Sequence, residues 1–126
     1  MSYSYTSTRQ PDGLCKLARV SVGIHVAVAL PSWAAGPAAA PGLADAWQTY
    51  IAALTLHEQG HVDRDVASAQ QLVNDLTALG PVDCGSLSLQ VTSLATKSGV
   101  ALAQSNLDYD TETGHGRTQG AILTMS

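Results

Sequence analysis

The feature that most constrains this chain is an apolar stripe with helical spacing that runs from Trp47 to Leu79. Trp47, Tyr50, Ile51 and Leu54 fall at i, i+3, i+4 and i+7, and Leu72, Leu76 and Leu79 continue the same face. The stripe predicts a helix over 43–79 closed by Gly80-Pro81, because Gly suits the turn past a last carbonyl and Pro cannot extend a helix. In a chain of 126 residues, such a helix leaves room for one compact domain with one core.

The residues before this helix carry a different period. Ser2 to Arg9 alternate polar residues with Tyr3 and Tyr5, Pro11-Asp12-Gly13 is a turn signal, and Cys15 to Leu30 alternate again. Val20, Val22, Ile24, Val26, Val28 and Leu30 share one face, which is expected to be buried. Arg19, Ser21, Gly23, His25, Ala27 and Ala29 share the other. Residues 1–31 therefore predict a hairpin or short sheet, and Pro31 to Gly42 a Pro/Gly/Ala loop. A weaker helical pattern over 86–107 carries Leu87, Val91, Leu94, Leu102 and Leu107, interrupted by Gly99. Residues 108–126 form a polar tail. The expected fold is α+β: a short antiparallel sheet packed against two or three helices.

The core has to be built from small side chains, since hydrophobic residues make up 45% of the chain but Phe is absent. Such a core gains from a covalent tie, and Cys15 and Cys84 offer a single connectivity. Closing so long a loop is worth about 4 kcal/mol in the chain-entropy model. The alternative is two reduced, buried thiols. No Cys-x-x-Cys spacing exists, which excludes a cysteine zinc site. A net charge of −4 with six Lys plus Arg provides no basic stripe, so nucleic acid is excluded as a partner. The most apolar stretch, Ile24 to Leu43, is broken by Pro31, Pro37 and Pro41 and by Gly36 and Gly42, so it is not a bilayer span and no membrane partner is expected. The chain opens without a signal-peptide pattern; if it is exported, its leader lies outside these residues.

Chemistry concentrates inside the long helix, where His57-Glu58-Gln59-Gly60-His61 forms an HExxH pattern. Two histidines one turn apart lean to the same side and can ligate one ion, while the intervening Glu can hold water and take its proton. At 100° per residue Glu58 falls within the apolar stripe, with His57 and His61 at its edge. An inward carboxylate is costly unless a cation or hydrogen bonds compensate it, and a metal at the floor of a cleft would do so. Zn2+ suits two imidazoles plus one further ligand with a position left open. Asp65, one turn after His61, either orients that imidazole or faces solvent. Asp63 points outward. For the third ligand the tail offers His115, flanked by glycines, with Asp110 and Glu112 as oxygen alternatives. His25 reads as a partly buried surface residue.

Leu30-Pro31-Ser32-Trp33, the helix carrying Trp47, Leu54 and His57-Glu58-Gln59-Gly60-His61, Cys84, and Tyr109-Asp110-xx-Thr113-x-His115-Gly116-xx-Gln119-Gly120 together resemble a bacterial family of predicted secreted zinc-dependent proteases of otherwise unknown function. The resemblance covers nearly the whole chain and rests on two separated motifs in order. It implies zincin-type peptidase chemistry on one zinc ion, with His57 and His61 as ligands and Glu58 as general base. It favours His115 as third ligand, since His115-Gly116 matches the family's second motif, and it strengthens both the Cys15–Cys84 bridge and a secreted or periplasmic location. Tyr109, from the same motif, is a candidate hydrogen-bond donor to the oxyanion of a cleaved peptide, with core packing as the alternative. The expected partner is a peptide or protein substrate lying along the exposed strand edge, and the protein is expected to be a monomer. The rival expectation is a metal-stabilised binding module without turnover.

Overall fold

The computed structural model describes residues 1–33 and 41–123; the centre of the expected Pro/Gly/Ala loop, with Pro37, lies outside the described residues. The chain runs β1 (Ser2–Arg9), β2 (Cys15–Gly23), α1 (Leu43–Thr77), α2 (Leu87–Thr113) and a short 3-10 turn, Arg117–Gln119. This is the expected α+β arrangement, with HExxH inside the longer helix. It divides into two compact units, one of Met1–His25 with Arg64–Gln104, the other of Val26–Asp63 with Ser105–Ser126.

In the first unit β1 and β2 pair antiparallel around the predicted turn. Gly13 closes the turn at φ +86°, its N–H donates to the Gln10 carbonyl, and the Leu14 N–H donates to Asp12 Oδ1 at 2.9 Å. Thr6 pairs with Arg19 but Ser7 with Leu17, so Ala18 is an extra residue in β2. The bulge changes the parity of the alternation. Cys15 and Leu17 before it and Val20 and Val22 after it all face the same core, joined by Tyr5 from β1. That core is closed by Leu72 and Leu76 from α1 and Leu87 and Val91 from α2, each pair one helical turn apart.

Cys15 and Cys84 form the disulfide, with Cα atoms 4.9 Å apart across 69 residues of sequence. Beside it Cys15 and Val82 exchange two backbone hydrogen bonds of 2.8 Å. The segment between the helices is thus fastened to β2 by covalent and main-chain bonds at one place.

Two elements depart from expectation. The alternation up to Leu30 predicts one long strand, yet β2 ends at Gly23, opposite Ser2. Among the described residues no strand pairs with 24–31, and Val28 and Leu30, expected on the buried face, are exposed. Side-chain alternation alone does not satisfy strand N–H and C=O groups; a neighbour is needed. The second helix continues past residue 107 to Thr113, taking in Asp108 to Thr113, residues whose polarity assigns them to the tail. Tyr109, buried within the second unit, is one apolar anchor of that last stretch.

Candidate metal centre

The candidate site lies entirely within the second unit, where residues 57–61 of α1 meet residues 106–113 of α2 and the turn that follows. The first requirement is close approach of Tyr109 to α1, and Gly60 permits it. A Cβ at residue 60 would overlap the Tyr109 hydroxyl and Cζ and come within 2.8 Å of Cε2. With only hydrogen there, the Tyr109 ring stacks on His57 at 4.8 Å between centroids and 12° between planes, and meets His61 edge-on at 4.8 Å. Its hydroxyl donates to the His57 carbonyl oxygen at 2.8 Å. The proton expected to serve an oxyanion is therefore directed at α1, and Tyr109 braces both imidazoles.

The second requirement is that the chain turn back after α2. Gly114, His115 and Gly116 all take positive φ (57°, 56° and 94°), a run that glycine makes affordable. Gly116 is buried against His57, where an added Cβ would sit 3.1 Å from that residue's Cβ and Cγ. The turn carries Gln119 back to α1, where Gln119 Oε1 lies 2.8 Å from His57 Nδ1.

These contacts aim the imidazoles. His57, only 2% exposed, has Nδ1 against Gln119 and Nε2 at 3.0 Å from Asp110 Oδ1. His61 has Nδ1 at 2.7 Å from Asn106 Oδ1 and Nε2 at 2.8 Å from the same Asp110 oxygen. Two Nε2 atoms and one carboxylate oxygen converge, all three within 4.8 Å of one another. Without a proton or a cation between them, lone pairs would face one another. A tetrahedral ion with ligand bonds of about 2.1 Å sets its ligands about 3.4 Å apart, so the two Nε2–Oδ1 pairs, at 3.0 and 2.8 Å, need to spread by about half an ångström. The set fits a divalent cation.

Charge is tuned accordingly. Burial opposes the ionised form of His61, but the hydrogen bonds to Asn106 and Asp110 and the charges of Asp110 and Glu58 outweigh it, raising its pKa above 6.5. Burial would likewise raise Asp110, but its hydrogen bond to His61, that ring's charge, the hydrogen bond to His57 and the charge of His115 win and hold it below 3.8.

Of the residues singled out in the sequence, His57, His61 and Asp110 are brought together. His115 is outside that group: its side chain is 82% exposed and its Nδ1 lies 3.8 Å from Asp110 Oδ2. Its glycine neighbours serve the turn. Glu58 is half-buried beside His57, while Glu112 is exposed. Asp65, half-buried a turn beyond His61, belongs to the other unit. Asp63 is exposed and accepts from Gln59 Nε2 at 2.9 Å. His25 is exposed, also in the first unit. Asn106, Thr113 and Gln119 join the site with no role assigned to them from sequence pattern. For Thr113 and Gln119 the signal was their place in the second motif; for Asn106 it was the i, i+4 spacing to Asp110 on a helix read as ending earlier.

Fold and site together define an α+β protein with a candidate two-histidine, one-aspartate metal centre between two helices. The chain belongs to the family described as "Bacterial protein of unknown function (DUF922)", whose model matches residues 1–116, both histidines and Asp110 included. Neither the curated proteins nor the solved structures gave a match.

Proposed function

We propose that this protein is a zinc-dependent peptidase in which His57, His61 and Asp110 hold the ion and Glu58 is the general base. The observation that carries the reading is the convergence of two imidazole Nε2 atoms and one carboxylate oxygen, on a helix where Glu58 directly follows His57. Two imidazoles and a carboxylate are a ligand set that suits zinc, and three protein ligands rather than four would leave room for water or substrate. Bound there, zinc supplies Lewis-acid polarisation of a carbonyl and lowers the pKa of water towards about 7.

The protein's own groups do the rest. Glu58 follows His57 directly on α1, and its charge reaches the site closely enough to act on His61. It takes the proton as water adds to the peptide carbonyl and returns it to the leaving amine nitrogen, so the C–N bond is exchanged for C–O and N–H bonds. Tyr109 contributes as a positioning residue. The substrate class is peptide or protein, and the disulfide supports an oxidising compartment outside the cytoplasm. Among the described residues no helix is long and apolar enough to cross a membrane.

The test compares the unmodified protein with Glu58→Gln, zinc quantified in each and unstructured casein as substrate. Zinc retained with cleavage abolished is the expected result; zinc bound but no cleavage by either protein would point to a metal-stabilised binding module. Asp110→Ala should lose zinc while His115→Ala keeps it, and the reverse would hand the third-ligand role to His115.

A further inference from the structure

His57 Nδ1 faces two atoms, and the hydrogens of both neighbouring groups are directed elsewhere. Thr113 Oγ1, 3.3 Å away, has its one hydrogen on the Tyr109 carbonyl oxygen at 2.8 Å. Gln119 has its Nε2 on the Tyr109 hydroxyl oxygen at 3.0 Å, and that hydroxyl has its own hydrogen on the His57 carbonyl oxygen. Reversing the amide would draw the phenol hydrogen away from the His57 carbonyl oxygen; with that bond kept, Oε1 is what the amide offers His57. Both neighbours accept, so Nδ1 of His57 must donate. At His61 the same role falls to Asn106, with Oδ1 at 2.7 Å from Nδ1.

From this the structure assigns Gln119 and Asn106 as positioning residues that fix His57 and His61 with hydrogen on Nδ1, leaving both Nε2 lone pairs for a cation. A neutral imidazole carries one hydrogen, and if it sat on Nε2 the ring could not ligate from that atom. Both orienting groups are neutral amides, not carboxylates. They aim the rings without adding negative charge, so Asp110 is the one anion in the three-donor set and a divalent ion with these three ligands would keep a net charge of +1. The turn through Gly114, His115 and Gly116 acquires a purpose: it returns the chain so that Gln119 reaches His57.

The inference rests on the metal reading above, and the experiment separates the two. Zinc affinity is measured by chelator competition at fixed pH for the unmodified protein, Asn106→Leu, Gln119→Met and Asn106→Asp. Zinc-loaded protein is examined by long-range 1H–15N NMR to show which nitrogen of each ring bears hydrogen. The unmodified protein should show hydrogen on Nδ1 of both His57 and His61. Removal of an orienting partner should weaken zinc binding roughly 10- to 100-fold. Asn106→Leu belongs in the upper part of that range and Gln119→Met nearer its foot, because Thr113 still accepts from His57. Asn106→Asp keeps an acceptor and should stay within a few-fold of the unmodified protein, which a merely structural role for residue 106 does not predict. Hydrogen on Nε2 of either ring in the loaded protein, or unchanged affinity in both Asn106→Leu and Gln119→Met, would overturn the assignment while leaving the metal site standing. Failure of the unmodified protein to bind zinc would remove both. The spectrum of the unmodified protein needs no variant to fold.

Discussion

Gly60→Ala offers the sharpest test of how the site is built, because two effects of opposite sign act on one atom. In an exposed helix the change would stabilise by about 1 kcal/mol through backbone entropy. Here the new Cβ overlaps Tyr109, and an ordinary carbon contact requires the ring to withdraw by more than 1 Å. Withdrawal costs the hydroxyl's bond to the His57 carbonyl, about 1 kcal/mol net, and the ring contacts with the two imidazoles, about 1 kcal/mol more. Crowding in a packed region adds about 1–3 kcal/mol. Set against the helix gain, the net is a destabilisation of about 2–4 kcal/mol, a fall in melting temperature on the order of 10 °C for a chain of this size. The assay is denaturant unfolding in four proteins: unmodified, Gly60→Ala, Tyr109→Ala and the double variant. With the ring gone the added methyl has space, so in the Tyr109→Ala background Gly60→Ala should turn neutral or stabilising. If Gly60→Ala were stabilising in the unmodified protein, or carried the same penalty with and without Tyr109, the close-approach argument would be wrong.

Reduction of Cys15–Cys84 should lower stability by about 4 kcal/mol, the loop-closure value for this separation, and a melting curve that ignores reductant would contradict it. Leu76→Ala, at a fully buried position in the first unit, should cost about 2–5 kcal/mol by denaturant titration; a loss under 1 kcal/mol would mean that the core collapses around the gap. For the metal-free protein the pH dependence has two limbs. The raised pKa of His61 adds stability that is complete below 6.5 and is lost as pH climbs through the folded value above it. The lowered pKa of Asp110 adds stability present above 3.8 and lost as pH falls through the folded value below that. Melting temperature without metal should therefore peak at mildly acidic pH, and zinc, which needs unprotonated imidazoles, should move the optimum upward. A peak that stays in place when zinc is added would argue against His61 as a ligand.

The sequence by itself determined what short-range periodicity controls. The hairpin followed from Pro11-Asp12-Gly13 between alternating runs, the long helix from its Trp47–Leu79 stripe, and the pairing of His57 with His61 from a four-residue step that any α-helix enforces. Cysteine arithmetic allowed one bridge, and that bridge forms. Tertiary structure decided whatever depends on a partner distant in sequence. The alternation to Leu30 stops pairing at Gly23 because a strand needs a neighbour, and α2 runs on through polar residues to Thr113, where Tyr109 is buried. The same distinction separates Asp110 from His115. Both lie in one polar stretch, and composition cannot rank them; the continued helix carries Asp110 to the two imidazoles, and three successive positive φ values leave His115 exposed to water. Spacing within one helix is a local property of the backbone. Which oxygen completes a site between two helices is set by where the second helix ends and how the chain turns after it.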